Sequence, residues 1–218
     1  MRIAIAGAGA VGRSIAMELL DGGHQVMLIE RQTSQFEPET VDQADWVLGD
    51  ACEVSTLEES GIERCDVVIA ATGDDKVNVV VSLLAKTEFA VPRVVARVND
   101  PDNEWLFTEA WGVDVAVSTP RMLAAMVEEA VSVGDLVRLM TFRQGQANLV
   151  ELTLPPETPL AGRPVSEIGL PRDAALVTIL RGERVIVPQP EDPLEAGDEL
   201  LFVTSAEVEA DIRTALGY

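Results

Sequence analysis

The chain has 218 residues, 47% of them hydrophobic, and a formal net charge of −21. That length holds one mid-sized domain or two small ones with sizeable cores, and that composition excludes a disordered chain. The charge repels phosphate backbones and anionic lipid, so nucleic acid is excluded as a partner and direct membrane insertion is not expected.

Residues 2–6 read as a buried strand that runs straight into Gly7. This opening lacks a basic leader, so it is taken as a strand and not as a signal peptide. No apolar run reaches the ~18 residues of a membrane span, and a cytoplasmic location is expected. Residues 10–20 read as a helix with Ile15, Leu19 and Leu20 on its apolar face, ended by Gly22-Gly23. "QVMLIE" at 25–30 is a second strand, 33–44 a weaker polar helix, and "WVLGD" at 46–50 a third strand. Ser55 and Glu58 form a possible capping box opening a short helix. "CDVVIAATG" at 65–73 is a fourth strand and 74–88 a helix. A fifth strand at 93–98, a helix over 100–112 and a sixth strand at 113–118 follow. Strands alternating with helices imply βαβ units, here an α/β, Rossmann-like, doubly wound parallel sheet with its ligand outside the strand carboxyl ends.

Gly7, Gly9 and Gly12 make a GxGxxG pattern between the first strand and the first helix. The first glycine permits the tight turn, the second lets backbone approach a pyrophosphate, and the third lets helix pack on strand. Glu30 ends the second strand, 18 residues after Gly12. Its carboxylate can accept both hydroxyls of an adenosine ribose and would repel a 2′-phosphate. Arg31 beside it could accommodate that phosphate. Asp50 and Ala51 end the third strand on the adenine side. Thr72, Gly73 and Asp74 end the fourth, and Arg97 ends the fifth within reach of a terminal phosphate. Turn and ion-pair roles remain open for Asp50 and Arg97. His24, the sole histidine, reads as a turn residue, and Cys52 and Cys65 as small buried or half-buried fillers. Hydride transfer to an alcohol needs a positioned acid or base, and neither Lys76, Lys86 nor the sole tyrosine, Tyr218, has an obvious pocket. No catalytic residue or metal ligand set is assigned.

The stretch from Thr119 reads as a helix with Pro120 at its start and a broad stripe of Met122, Leu123, Met126, Val127, Ala130 and Val131. Such a stripe serves core packing or a second subunit. From 136 the pattern changes to a small α+β unit. It has strands around a Gln144-Gly145 turn, a short helix near 164–168, a hairpin around Gly182, a strand at 197–205 and a final helix. The chain therefore divides into 1–118, a crossover helix and linker at 119–135, and 136–218.

The GxGxxG loop, the acid ending strand two, "GDA" at 49–51, "ATGDD" at 71–75 and "ARVNDP" at 96–101, followed by the compact second unit, closely resemble the RCK family of Trk-type potassium uptake regulators. The likeness covers nearly the whole chain, in the short single-repeat form. It implies a cytosolic regulatory subunit, peripheral at the membrane through a potassium transporter subunit or a paired Trk-type subunit. It implies a homodimer assembling into a ring, and a nucleotide gate. By motif position, Gly7, Ala8, Gly9, Ala10, Val11, Gly12, Glu30, Thr72-Gly73 and Arg97 would touch NAD(H), with ATP, ADP or AMP as alternatives. Members that sense ATP often carry a basic residue where this chain has Ala10, which favours NAD(H). Cyclic di-AMP in the second unit is a further option that the residues do not decide. Two rivals stand beside this reading. One is a small NAD-dependent dehydrogenase, which is not expected to turn over. The other is a nucleotide-sensing repressor, which the charge disfavours.

Overall fold

The computed structural model describes residues 1–142 and 147–217. The expected turn at Gln144-Gly145 and Tyr218 lie outside the described residues. The chain forms two compact units, Met1–Pro120 and Arg121–Tyr218.

The first unit is built on six parallel strands, β1 (Arg2–Ala6), β2 (Gln25–Glu30), β3 (Asp45–Leu48), β4 (Val67–Ala70), β5 (Arg93–Val98) and β6 (Val115–Ser118). Their order is β3-β2-β1-β4-β5-β6, so the chain reverses direction of winding between β1 and β4. The helices are α1 (Ala10–Asp21), α2 (Val54–Ser60) and α3 (Asp75–Thr87). Strand β1 shows why the sheet is covered on both faces. Ile3 and Ile5 pack with Ala16, Val26 and Leu28 on one side. Ala4 and Ala6 pack with Met27, Ile29, Val68 and Val81 on the other. A central parallel strand with two covered faces reads as a continuous apolar run, as "IAIA" does.

Four sequence expectations need correction. The polar stretch 33–44 holds only a one-turn 3₁₀ segment, Pro38–Thr40. Pro38 removes a backbone donor, and no apolar periodicity holds a longer helix in place. The Ser55–Glu58 capping box does not form. Helix α2 starts at Val54 after Glu53, with no side-chain cap, because a turn from Asp50 to Glu53 (N···O 2.9 Å) starts it earlier. Residues 100–112 are two 3₁₀ segments, Pro101–Leu106 and Glu109–Trp111, instead of one helix. There the Asp75 carboxylate accepts from Asn99, Asp100 and Asn103 together, which fixes a tighter turn. Strand β3 also stops at Leu48, so Asp50 and Ala51 lie in the turn beyond it.

Helix α4 (Thr119–Val131) starts at the end of the first unit, runs into the second, and buries none of its residues. Ordinary core packing therefore does not account for the stripe of Met122, Leu123, Met126, Val127, Ala130 and Val131, all of them exposed. The strands β7 (Val137–Thr141), β8 (Asn148–Thr153), β9 (Ala174–Arg181), β10 (Arg184–Ile186) and β11 (Glu199–Thr204) pair antiparallel in the order β10-β9-β11-β8-β7. Phe202, Leu152, Leu200 and Ile179 fill the core of the second unit beneath α5 (Glu209–Leu216), which contributes Ile212 and Leu216. The hairpin around Gly182 and the short turn of helix at Val165–Glu167 are where the sequence put them.

Candidate functional site

At the carboxyl ends of the parallel strands lies a cleft of about 640 Å³. Its walls come from the carboxyl ends of five strands and the segments after them. Gly7, Gly9, Ala10 and Val11 line it after β1, and Glu30 and Arg31 after β2. Asp50 and Ala51 line it after β3, Thr72, Gly73 and Asp74 after β4, and Arg97 from β5. A doubly wound sheet places its ligand cleft at this winding reversal.

The first loop owes its path to two glycines. Gly7 has φ +99°, and a Cβ there would meet the Thr72 backbone at 3.0 Å. A Cβ on Gly12 would lie 1.9 Å from the Gly7 carbonyl oxygen, so helix α1 can approach the turn only without one. Gly12 therefore shapes the cradle from beneath and does not line it. Gly9 differs from both: nothing lies within 4 Å of its missing Cβ. It precedes α1 with no side-chain cap and no acid in the first turn, which leaves the helix dipole and its first amides to the cleft.

Glu30 is nearly buried. Its Oε2 accepts from the Ala8 amide at 2.8 Å and its Oε1 from the Gln32 amide at 2.7 Å. Ala8 is thus fully buried behind the loop, tying it to β2 and not facing the cleft. Each Glu30 oxygen keeps further acceptor capacity toward the cleft. Asp50 accepts from the Cys52 amide at 2.9 Å and pairs with Arg31 at 3.3 Å. The Cys52 amide, opposed by partial burial and aided by Arg31, holds the Asp50 carboxyl below its usual range. Burial and then the Asp50 charge push the Cys52 thiol up to about 11, so it stays an inert thiol at neutral pH. Cys65 is buried, and both cysteines are free.

The opposite wall is a polar knot. Asn78 Oδ1 accepts from the Thr72 amide at 2.9 Å and from Thr72 Oγ1 at 2.7 Å. Its Nδ2 donates to the carbonyls of Thr72 and Arg97. Asp74 caps α3 by accepting from the Lys76 amide. Arg97 Nε is buried and has no hydrogen-bond partner among the described residues, so a cation waits in the wall for an acceptor.

Twelve of the fourteen residues singled out in the sequence therefore line one cleft, with Ala8 and Gly12 behind it. Sequence reasoning missed Ile29, Gln32, Gln35, Gly49, Ala71 and Val77. Gly49 was visible in "GDA" and Ala71 in "ATGDD". Gln32 carried no motif, and Gln35 fell in the stretch 33–44 read as a helix.

Fold and cleft together define a Rossmann-like unit with a cleft at its winding reversal, joined to an antiparallel accessory unit. Residues 3–119 match the TrkA-N domain family and residues 149–217 the TrkA-C domain family. The chain is 67% identical over 216 residues to the Trk system potassium uptake protein TrkA of Mycobacterium tuberculosis, covering 99% of this chain and 98% of that protein. The crystal structure of the GsuK RCK domain aligns with TM-score 0.53 at 26% identity, over 99% of this chain and 46% of that one. The GsuK channel bound to NAD aligns with TM-score 0.50 at 26% identity, over 99% of this chain and 38% of that one. The chain spans less than half of those two solved chains. It belongs to the TrkA family of Trk-system potassium uptake regulatory proteins, with an RCK-type architecture.

Proposed function

We propose that this chain is a nucleotide-binding regulatory subunit of a Trk-type potassium uptake system, and that NAD(H) is its ligand. The observation that carries the reading is the pairing of an uncapped α1 amino terminus behind Gly9 with Arg97, whose buried Nε has no partner among the described residues, across the same cleft. Both seek an anion, and a pyrophosphate supplies one. In this reading Gly7–Val11 and Gly12 form the phosphate cradle. Glu30 takes the ribose hydroxyls, Asp50 and Ala51 flank the adenine, and Thr72–Asp74 face the second nucleoside. GsuK structures bound to NAD and to ADP support a nucleotide in this cleft. Arg97 also suits a terminal phosphate, which keeps ATP and ADP as the second reading. The domains are taken as 1–118, 119–135 and 136–218, with the exposed α4 stripe as the contact to a second copy in a ring. No helix among the described residues is long and apolar enough to cross a membrane, so action on the ion pathway is assigned through a membrane potassium transporter partner. The reading is non-enzymatic and cytoplasmic.

A ligand shifts a two-state assembly only by its differential affinity for the states. A tenfold difference between two nucleotides is worth about 1.4 kcal/mol per site. The test is thermal stabilisation across NAD, NADH, NADPH, ATP, ADP, AMP and cyclic di-AMP. A shift with NAD or NADH that Gly9→Asp abolishes supports the reading. A larger shift with ATP or ADP favours the second reading. A shift with cyclic di-AMP alone, untouched by Gly9→Asp, moves the ligand to the second unit.

Two further outcomes are expected by calorimetric titration. Glu30→Ala should weaken NADH by about 10- to 100-fold, since hydrogen bonds to a charged acceptor contribute ~1.5–3 kcal/mol; an unchanged affinity removes the ribose assignment. Asp50→Asn should release Arg31 from its ion pair and narrow the preference for NADH over NADPH by about three- to tenfold. An unchanged ratio would show that Arg31 does not reach a 2′-phosphate.

A further inference from the structure

Glu151 on β8 lies outside the cleft, in the second unit, and is 2% exposed. Its Oε1 accepts from Thr153 Oγ1 at 2.9 Å, and its Oε2 is buried with no hydrogen-bond partner among the described residues. A buried carboxylate without a cation is costly, and a protein meets that cost by keeping the proton.

The surroundings deepen the cost. Strand register sets Glu151 opposite Leu201 on β11 and Val137 on β7. Glu199 of β11 lies two residues from Leu201 on the same face, opposite Thr153. The Gly134 amide donates to the Thr153 carbonyl at 2.9 Å, which holds the chain just after α4 beside β8. That brings Glu129 of α4 within electrostatic reach. The charged groups bearing on Glu151 are thus Glu129 from α4 and Glu199 from β11, both acidic. Arg138 of β7 sits opposite Val150, on the other face, and pairs with Glu209 of α5 at 2.7 Å. Among the described residues no ion pair joins Glu151 to a cation.

We propose that Glu151 is a proton-responsive site that governs the hold of α4 on the second unit. Protonated, it sits quietly under Thr153. Ionised, it adds a third carboxylate beside Glu129 and Glu199 in a place that water does not reach. The strain is relieved by moving the Glu129-bearing end of α4 outward and letting water in. Because α4 runs across the boundary between the two units along the chain, a proton on β8 then bears on the segment that joins them.

Burial first, then the charges of Glu129 and Glu199, against the Thr153 hydrogen bond, raise this carboxyl to about 7 from an ordinary 4.5. The folded value lies above the unfolded one. Between roughly pH 4.5 and 7 the native state keeps a proton that the unfolded state has lost, so stability falls as pH rises through that window and levels above it.

The experiment compares melting temperature from pH 5 to 9 for the full chain and for Glu151→Gln, together with hydrogen exchange of residues 119–131. The variant should gain on the parent as pH rises to about 7 and hold that gain above it. In the parent, α4 should exchange at least fivefold faster at pH 8.5 than at pH 5.5 after correction for intrinsic rate, and in the variant it should not. Glu129→Gln, a change at a half-exposed position, should move the parent's midpoint to lower pH, which keeps the test alive if Glu151→Gln fails to fold. Parallel pH profiles for parent and variant, an unmoved midpoint in Glu129→Gln, or α4 protection independent of pH would overturn the proposal.

Discussion

Gly12→Ala and Gly9→Asp, three residues apart on either side of the start of α1, are expected to fail in opposite ways. In Gly12→Ala the new methyl lies 1.9 Å from the Gly7 carbonyl oxygen. Helix α1 must back away from β1, and Ala16 must leave its fully buried place against Ile3 and Ile5. Overpacking of this kind costs about 1–3 kcal/mol, and more where backbone is the obstacle. A loss of at least ~3 kcal/mol is expected in denaturant unfolding of the first unit. Gly9→Asp meets nothing within 4 Å and starts from φ −66°, a conformation open to any residue. An aspartate there also suits a helix amino terminus. Its stability should match the parent or exceed it slightly. Yet the carboxylate takes the seat of an anionic ligand, so nucleotide stabilisation should vanish. Circular dichroism with thermal shift separates the cases. If Gly9→Asp still binds NADH as tightly as the parent, the anion does not sit at α1, and the function proposed for the cleft falls.

The sheet was legible because its strands are short apolar runs cut by glycine or an acid. The parallel order followed from their alternation with helices. Glu30 was legible through its distance from the glycines, but its second task was not: no periodicity reveals that its carboxylate also fastens the Ala8 amide. The stretch after β2 was not legible because its polar residues give no periodic signal, and Pro38 opens only a one-turn 3₁₀ segment there. The 100–112 stretch misled for a different reason. Its capping acid and early proline are genuine helix-start signals, yet a carboxylate 25 residues earlier than Asp100 sets the turn. Glu151 reads in the sequence as one more acid in a chain of net charge −21; only strand register buries it. Long-range hydrogen bonds and burial of single polar groups are the parts that local patterns cannot carry.

Asp75→Ala is the second large effect. The Asp75 carboxylate accepts from the Asn99 amide at 2.6 Å and from Asn99 Nδ2, the Asp100 amide and Asn103 Nδ2 at 2.9 Å each. Burial raises this carboxyl, but the bonds from Asn103, Asn99 and Asp100 together outweigh it and hold the group below its ordinary value. Removing one charged acceptor takes a partner from four donors at once; Asn99 Nδ2 keeps its bond to Thr72, and some of the others would find water. A cost of about 2–4 kcal/mol follows from the usual penalty for donors left unsatisfied near the interior. The folded value lies below the unfolded one. The stabilisation is therefore present above the unfolded value of about 3.8 and is lost as pH falls through the folded value. At pH 7 the variant should show the whole deficit, and the gap to the parent should narrow as pH falls through the folded value, below 3.8. The damage also reaches the cleft. Asn99 Nδ2 donates to the Thr72 carbonyl at 3.0 Å, and Thr72 is a wall residue. Freed from Asp75, Asn99 holds that carbonyl less firmly, and Arg97 two residues earlier loses its fixed exit from β5. Nucleotide affinity should drop along with stability. Asp75→Asn keeps the shape and one carbonyl oxygen but turns an amine toward the remaining donors, so it should recover less than half of the loss. If Asp75→Asn were as stable as the parent at pH 7, the carboxylate charge would not be what holds this loop, and the 3₁₀ turn after Asp100 would need another cause.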